Sequence, residues 1–148
     1  MSIRFRDAKE RDLPAIVALL KDDLLGQGRE TDDLNRYRDM WIEIQASPDN
    51  ALIVGEIDGT VVACYQLTTI PGFTLNATRR AEIEGVRVAG HLRGQGIGAQ
   101  LIADAAARAK AKGAGLMQLT MNAKRDEAHA FYIRNGFEPT HVGFKMKL

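Results

Sequence analysis

Residues 91–101 read HLRGQGIGAQL, with Gly94, Gly96 and Gly98 alternating behind Arg93 and an alanine-rich run following. A glycine ordered in a helix costs about 0.5–1 kcal/mol relative to alanine, so bare backbone at a helix start needs a cause. A tight turn, close packing and a bound anion are the three candidates. The run AEIEGVRV, residues 81–88, predicts a strand before the loop, and the pattern from about Ile97 to Lys112 predicts a helix after it. A strand–loop–helix unit constrains the fold strongly, because the helix must lay its apolar stripe on a sheet. The first amides of such a helix lack intrahelical partners, and its N-terminus carries about +0.5 charge. Glycines let a pyrophosphate approach those N–H groups closely, and Arg93 adds a cation at the rim.

The rest of the chain supplies the sheet. SIRFR, residues 2–6, reads as a first strand, and Asp12 offers an N-cap with Pro14 in the first turn. Leu13, Ile16, Val17, Leu20 and Leu24 fall at helical spacing, and Gly26 and Gly28 read as the stop. Thr31 is a candidate cap for a second helix, with Leu34, Tyr37, Trp41 and Ile44 on one stripe and Ser47-Pro48 at its end. ALIVGEI and TVVACYQL, joined by Asp58-Gly59, predict a β-hairpin. LMQLTM, residues 116–121, predicts another strand, and Asp126 caps a short helix that Gly136 ends. In the tail GFKMKL, Phe144, Met146 and Leu148 share one face and Lys145 and Lys147 the other, which predicts a half-buried last strand. The order β-α-α-β-β-β-α-β-α-β implies a mixed α/β sheet with helices on both faces, in one domain of 148 residues.

Composition narrows the function. A net charge of +1 and a pI near 7.9 give no support for nucleic-acid binding. No apolar stretch approaches the ~18 residues of a membrane span. The start, MSIRFRDAKERD, is too charged for a signal peptide, so a cytoplasmic chain is expected. The single cysteine, Cys64, sits in an apolar run and reads as an inert buried thiol. There is no CxxC, HExxH or Cys/His cluster, so no metal is expected.

Two phosphate-loop readings fail. A Walker A loop needs Gly-Lys-Ser/Thr, which is missing. A dinucleotide fingerprint fits as Gly94, Gly96 and Ala99, but it requires an acidic residue about 20 positions on, at the end of the next strand. That strand ends here in Met121-Asn122. The third reading is R-x-x-G-x-G, carried by Arg93, Gly96 and Gly98, followed after one helix and one strand by A-x-x-x-Y-x-x-x-GF at Ala128, Tyr132, Gly136 and Phe137. Together these resemble the GNAT superfamily of acyl-CoA-dependent N-acetyltransferases, and the element order matches over nearly the whole chain.

The resemblance implies a GNAT-like, largely antiparallel central sheet with a β-bulge and a splay between two strands. It implies acetyl-CoA as cosubstrate, its pyrophosphate held by Arg93, Gly94, Gln95, Gly96, Ile97, Gly98 and Ala99, its pantetheine arm beside Val86, Arg87 and Val88. Family members often carry an asparagine three residues before the alanine of A-x-x-x-Y; this chain has Arg125 there and Asn122 upstream, so both are candidate cofactor contacts. By the same resemblance Tyr132 donates to the departing thiolate; helical spacing alone also suits a packed tyrosine. The acceptor pocket maps to about 24–31 and 70–76.

An amine with a pKa near 10.4 is neutral in only about one molecule in 10³ at pH 7, so a base helps. Glu82 and Glu84 stand two apart on one strand and share a face. Either can take the proton, with Glu84 favoured as nearer the splay; both also suit a solvated strand or a cationic substrate. Arg79, Arg80 and Arg87 flank them and suit an anionic substrate, a cofactor phosphate or plain solvent exposure. His129 and His141 read as structural or exposed. The expected function is direct acetyl transfer from acetyl-CoA to a primary amine of a small molecule or peptide. A non-catalytic acetyl-CoA-binding regulatory domain, a different acyl donor and a hydroxyl acceptor are the alternatives. Dimers are common in the resembled family, and the sequence leaves a homodimer open.

Overall fold

Asp58 and Gly59 take φ of 49° and 78°, the paired positive values that let a two-residue turn follow the twist of its strands. They join β2 (Asn50–Ile57) to β3 (Thr60–Ile70) as the centre of the sheet. The computed structural model describes residues 2–148, with the side chains of residues 24 and 25 left out, so the expectation for the Leu24 side chain lies outside the described residues. β1 (Arg4–Asp7), β4 (Arg80–Val88) and β5 (Leu116–Gln118) complete a five-stranded sheet in the order β1-β2-β3-β4-β5. The first four strands pair antiparallel, and β5 pairs with β4 in parallel.

Helices cover both faces, and one further short turn, α4 (Thr74–Ala77), precedes β4. On one face, α5 (Ile97–Ala111) packs Leu101, Ile102, Ala105 and Ala109 on Ile53, Tyr65, Leu67 and Ile83. Its alanines bring helix and sheet close, and α6 (Asp126–Arg134) adds Phe131 and Tyr132 to that core. On the other face, α1 (Leu13–Lys21) lays Leu13, Ile16 and Leu19 on Val54 and Cys64, with Trp41 of α3 (Leu34–Ala46) beside them. Cys64 is buried as expected, and burial pushes its thiol up to about 12.

Several expectations change. Asp126 does not cap α6 but is its first residue, with Arg125 at the N-cap, and the strand expected over 116–121 ends at Gln118. Gly26 and Gly28 do not stop a helix; they lie inside α2 (Leu24–Arg29), whose N-cap Asp23 accepts from Gly26 N–H. The preceding helix ends earlier, at Lys21. Asp12 caps no α1 amide with its side chain but accepts from Lys9 N–H at 2.8 Å and pairs with Arg6 at 2.6 Å. The second predicted helix is capped by Asp33, whose carboxylate accepts from Asn35 N–H, while Thr31 accepts from Asp33 N–H. The tail forms no strand: Val142, Phe144, Met146 and Leu148 stand in solvent. A period-2 pattern specifies strand-forming residues but cannot specify which edge they pair with.

Candidate active site

The sheet opens where the glycine loop begins. β4 pairs with β5 only at Arg80↔Leu116, Ala81↔Met117 and Glu82↔Gln118, and then continues to Val88 without it. On its other side, Glu84 pairs with Gln66 and Arg87 with Cys64, so Gly85 and Val86 together oppose Tyr65. That is a β-bulge, with Gly85 at φ 59°. It restores Arg87 to the face of Glu84, because residues directly opposite share a face and Cys64 and Gln66 lie two apart. Arg80, Glu82, Glu84 and Arg87 therefore line one polar face of β4, on the α1 side of the sheet.

At the end of β4 the three glycines serve different ends. Gly94 and Gly96 take φ of 76° and 81°, and Gly96 is the left-handed N-cap of α5. Gly98 has a negative φ, but a Cβ there would sit 2.9 Å from the Phe131 ring, so close packing of α6 explains it. Turn and packing are thus both met. Among the described residues, no main-chain acceptor pairs with the N–H groups of residues 94–99, so the loop also presents free donors at a helix N-terminus. That donor set fits the pyrophosphate of a coenzyme. Arg93 crosses the loop base: its guanidinium donates to Val88 C=O at 3.2 Å and to Asp22 C=O at 3.1 Å. Gln95 donates to His91 C=O.

Phe131 is the link that carries Tyr132 to the loop. The Tyr132 ring lies edge-on between Phe131, at 5.1 Å between centroids, and Phe137, at 5.6 Å. Burial pushes its hydroxyl above the ordinary tyrosine value, although the Arg87 and Arg125 charges pull the other way. Tyr132 therefore stays protonated at neutral pH, as a hydrogen-bond donor must. Glu82 accepts from the Gln118 side chain at 3.3 Å across the last β4–β5 pair, whereas Glu84 is exposed beside the bulge.

A pair of neighbouring aspartates, at 22 and 23, escaped the sequence reading. Asp23 Oδ2 lies 3.1 Å from Arg87 Nε and 2.6 Å from Arg125, joining the α1–α2 turn to β4 and to the start of α6. Burial pushes Asp23 up, but Gly26 N–H and the two guanidiniums outweigh it, and its carboxyl lies below the usual range. Arg87 also donates to Val86 C=O at 2.9 Å. Two acids directly after α1 were the available signal, as a cap and as counter-ions. The other candidates stand apart. Asn122 closes its own turn by accepting from Lys124 N–H, Arg79 lies 3.5 Å from Asp49, and His129 and His141 are exposed.

A model of the acetyltransferase (GNAT) family matches residues 13–137, which spans the splay, the loop and α6. The chain belongs to the GNAT family. The GNAT fold it adopts is shared with a Bacillus halodurans C-125 protein described as a transcriptional regulator, at 39% identity and a TM-score of 0.94 over 99% of this chain and 100% of that one. It is also shared with the glucosamine-6-phosphate N-acetyltransferase of Arabidopsis thaliana, at 20% identity and a TM-score of 0.82 over 99% of each chain. Over 67 residues the chain is 43% identical to the aminoalkylphosphonate N-acetyltransferase of Salmonella typhimurium strain LT2, covering 45% of this chain and 44% of that protein. The chain's match thus spans less than half the length of that GNAT relative. GNAT enzymes use acetyl-CoA, which agrees with the donor set of the loop.

Proposed function

We propose that the chain transfers an acetyl group directly from acetyl-CoA to the primary amine of a small acceptor that also carries an anionic group. The reading is supported by the β4–β5 splay, which opens beside unpaired loop amides and leaves the Glu82–Glu84 face along β4, with the half-buried Tyr132 packed through Phe131 toward the loop. The amides of residues 94–99 hold the pyrophosphate, with Arg93 at the rim, and the β4 edge at Val86–Val88 lies along the pantetheine arm. Val86 and Val88 carbonyls already accept from Arg87 and Arg93, and each keeps a second lone pair. Arg125 stands at the far wall, whereas Asn122 keeps to its own turn. Bound acetyl-CoA supplies an activated thioester and leaves as the thiol.

Glu84 takes a proton from the acceptor ammonium, directly or through one water, which frees the nitrogen lone pair for attack. Glu82, held by Gln118, keeps the same face negative and draws the ammonium in. Tyr132 gives a hydrogen bond to the sulfur as negative charge gathers there. An ordinary tyrosine lies about 1.5 units above a thiol, so proton transfer comes late. Alignment supplies the remaining advantage, and no covalent enzyme intermediate is needed.

The anionic group of the acceptor is supported by two things. Arg87 and Arg125 converge on one carboxylate beside the glutamate face. The Salmonella relative bears the name of an enzyme acting on aminoalkylphosphonates. A phosphonate, phosphate or carboxylate two or three bonds from the amine would meet the arginines while its ammonium meets Glu84.

A second reading has one observation behind it. The Bacillus halodurans protein is described as a regulator, which suits a domain that binds acetyl-CoA without turning it over. One assay separates them: thiol release from acetyl-CoA with aminoalkylphosphonates, amino carboxylates, uncharged amines and alcohols. Turnover with the anionic amines, falling about 10²-fold in Tyr132→Phe, supports the proposal. Acetyl-CoA binding with no turnover across the panel overturns it in favour of the regulator.

A further inference from the structure

Arg80 is the arginine of the β4 face that acetyl transfer leaves unused. Its neighbours are matched: Arg79 lies 3.5 Å from Asp49, and Arg87 and Arg125 share Asp23. Among the described residues Arg80 has no carboxylate at ion-pair distance, and its Nε is buried with no hydrogen-bond acceptor. Arg87 Nε also lacks an aligned acceptor, but the Asp23 carboxylate stands 3.1 Å from it. A buried charged donor left unpaired is costly, so its retention calls for a cause.

The loop before β4 creates that burial. Leu75, Asn76 and Ala77 take φ of 53°, 58° and 57°, three left-handed residues in succession with no glycine among them. L side chains resist that conformation, and it persists where the surroundings enforce it. Thr78 N–H closes the turn on Thr74 C=O at 3.2 Å. The closure is so tight that a Cβ on Gly72 would lie 2.2 Å from the Thr78 carbonyl oxygen, and the same Cβ would lie 3.7 Å from Arg80 Nε. Backbone therefore packs on the stem of Arg80, while the residue keeps part of its surface in solvent.

Arg80 stands at one end of a polar floor. Directly opposite residues share a face, so Asn50, Thr68, Glu82 and Gln118 form a row across four strands, with Gln66 and Glu84 in the next row. Thr68 donates to Asn50 Oδ1 at 2.7 Å. α1 lies over the bulge end of this face, on Val54 and Cys64, with Leu20 beside Gly85. Away from the bulge Glu84 is exposed, and Gln66, Thr68, Glu82 and Gln118 are half-buried. Glu84 and Arg80 are four residues apart, about 13 Å along the strand.

We propose that Arg80 is a distal anion subsite for the acceptor, taking the terminal carboxylate of an extended amine whose nitrogen lies at Glu84. The place of the amine rests on the acetyl-transfer reading above. Nitrogen and carboxylate are then separated by about 10–13 Å, the length of three or four extended residues. This second anion is additional to the near one that meets Arg87 and Arg125. A short peptide with an acidic first residue carries all three groups at these spacings: its amino group, a side-chain carboxylate three bonds away and its C-terminal carboxylate. The amides and hydroxyl of the floor suit the peptide groups between them.

Calorimetric titration of the full chain, loaded with coenzyme A, reads the subsite with the tripeptide Asp-Gly-Gly and its C-terminal amide. The parent should bind the free acid at least about tenfold more tightly than the amide, as for a charge-assisted pair. Arg80→Gln should remove that difference, and Arg80→Lys should keep part of it. An aminoalkylphosphonate, which has no distal anion, should bind Arg80→Gln and the parent alike. Equal affinity of the parent for acid and amide, or no binding of either, overturns the proposal without recourse to a variant. So does a preference for the acid that survives Arg80→Gln. Thiol release with aminoalkylphosphonates tests the acetyl-transfer reading separately: no release, with an Arg80-dependent preference for the acid retained, sinks that reading and leaves the subsite standing.

Discussion

Gly98 shows how one absent side chain ties the glycine loop to the proposed donor. Gly98→Ala forces the Phe131 ring aside, since the new methyl would stand 2.9 Å from it, and Phe131 rests against Tyr132. The ring end of Phe131 can yield, so the cost should fall near the low end of overpacking, about 1 kcal/mol. We expect Gly98→Ala to lower the acetylation rate several-fold with little change in acetyl-CoA affinity. Gly96→Ala should do the reverse. Its φ of 81° costs a side chain about 1–2 kcal/mol, and relaxation would turn loop amides away from the pyrophosphate. Calorimetric titration of acetyl-CoA beside steady-state rates separates the two. Cys64 gives a third expectation at this scale: at 1% exposure, with its thiol pushed up to about 12, it should resist a disulfide reagent at pH 8 and react fully only in denaturant.

Elements meet at Asp23, which ties the α1–α2 turn to β4 through Arg87 and to α6 through Arg125. If an acceptor anion uses the same guanidiniums, Asp23 competes with it. Asp23→Asn should then lower KM for anionic amines while costing about 1–3 kcal/mol of stability, and Arg125→Gln should raise KM about tenfold. Uncharged amines should show neither KM change, and a panel of both classes measures it. The meeting of these groups was not visible in the sequence, because residues 23 and 125 are brought together only by the fold. Features written in local chemistry were legible: the Asp58-Gly59 hairpin, the strand–loop–helix at 80–111, and the facing of Glu82 and Glu84. The α2 helix was missed because Gly26 and Gly28 read as stops. Gly26 is there for space, since a Cβ would fall 1.8 Å from the Leu20 carbonyl oxygen. The strand expected at the tail does not form for another reason: its pattern is strand-like, but a pattern names no partner.

Across the whole molecule, acid should loosen the fold through a few partnered carboxylates. Asp12 is 5% exposed and pairs with Arg6, which also holds Glu56, so β1, the start of α1 and β2 meet in one charged knot. The hydrogen bond from Arg6 outweighs burial and holds the Asp12 carboxyl below its usual range. Asp23 and Glu30 are depressed as well, Glu30 chiefly by the Tyr37 hydroxyl that donates to it at 2.7 Å. A group depressed on folding binds fewer protons in the folded chain than in the unfolded one. Its stabilisation is therefore complete above the unfolded pKa of about 4 and is lost as pH falls through the lower folded value. The melting temperature should hold flat from pH 7 to about 5 and drop by several degrees toward pH 3. Asp12→Asn should start lower at pH 7, because Arg6 loses its partner, yet fall less steeply in acid, because one of the depressed groups is gone. Equal acid slopes for the variant and the parent would place the acid sensitivity elsewhere, and thermal melts across that range decide it.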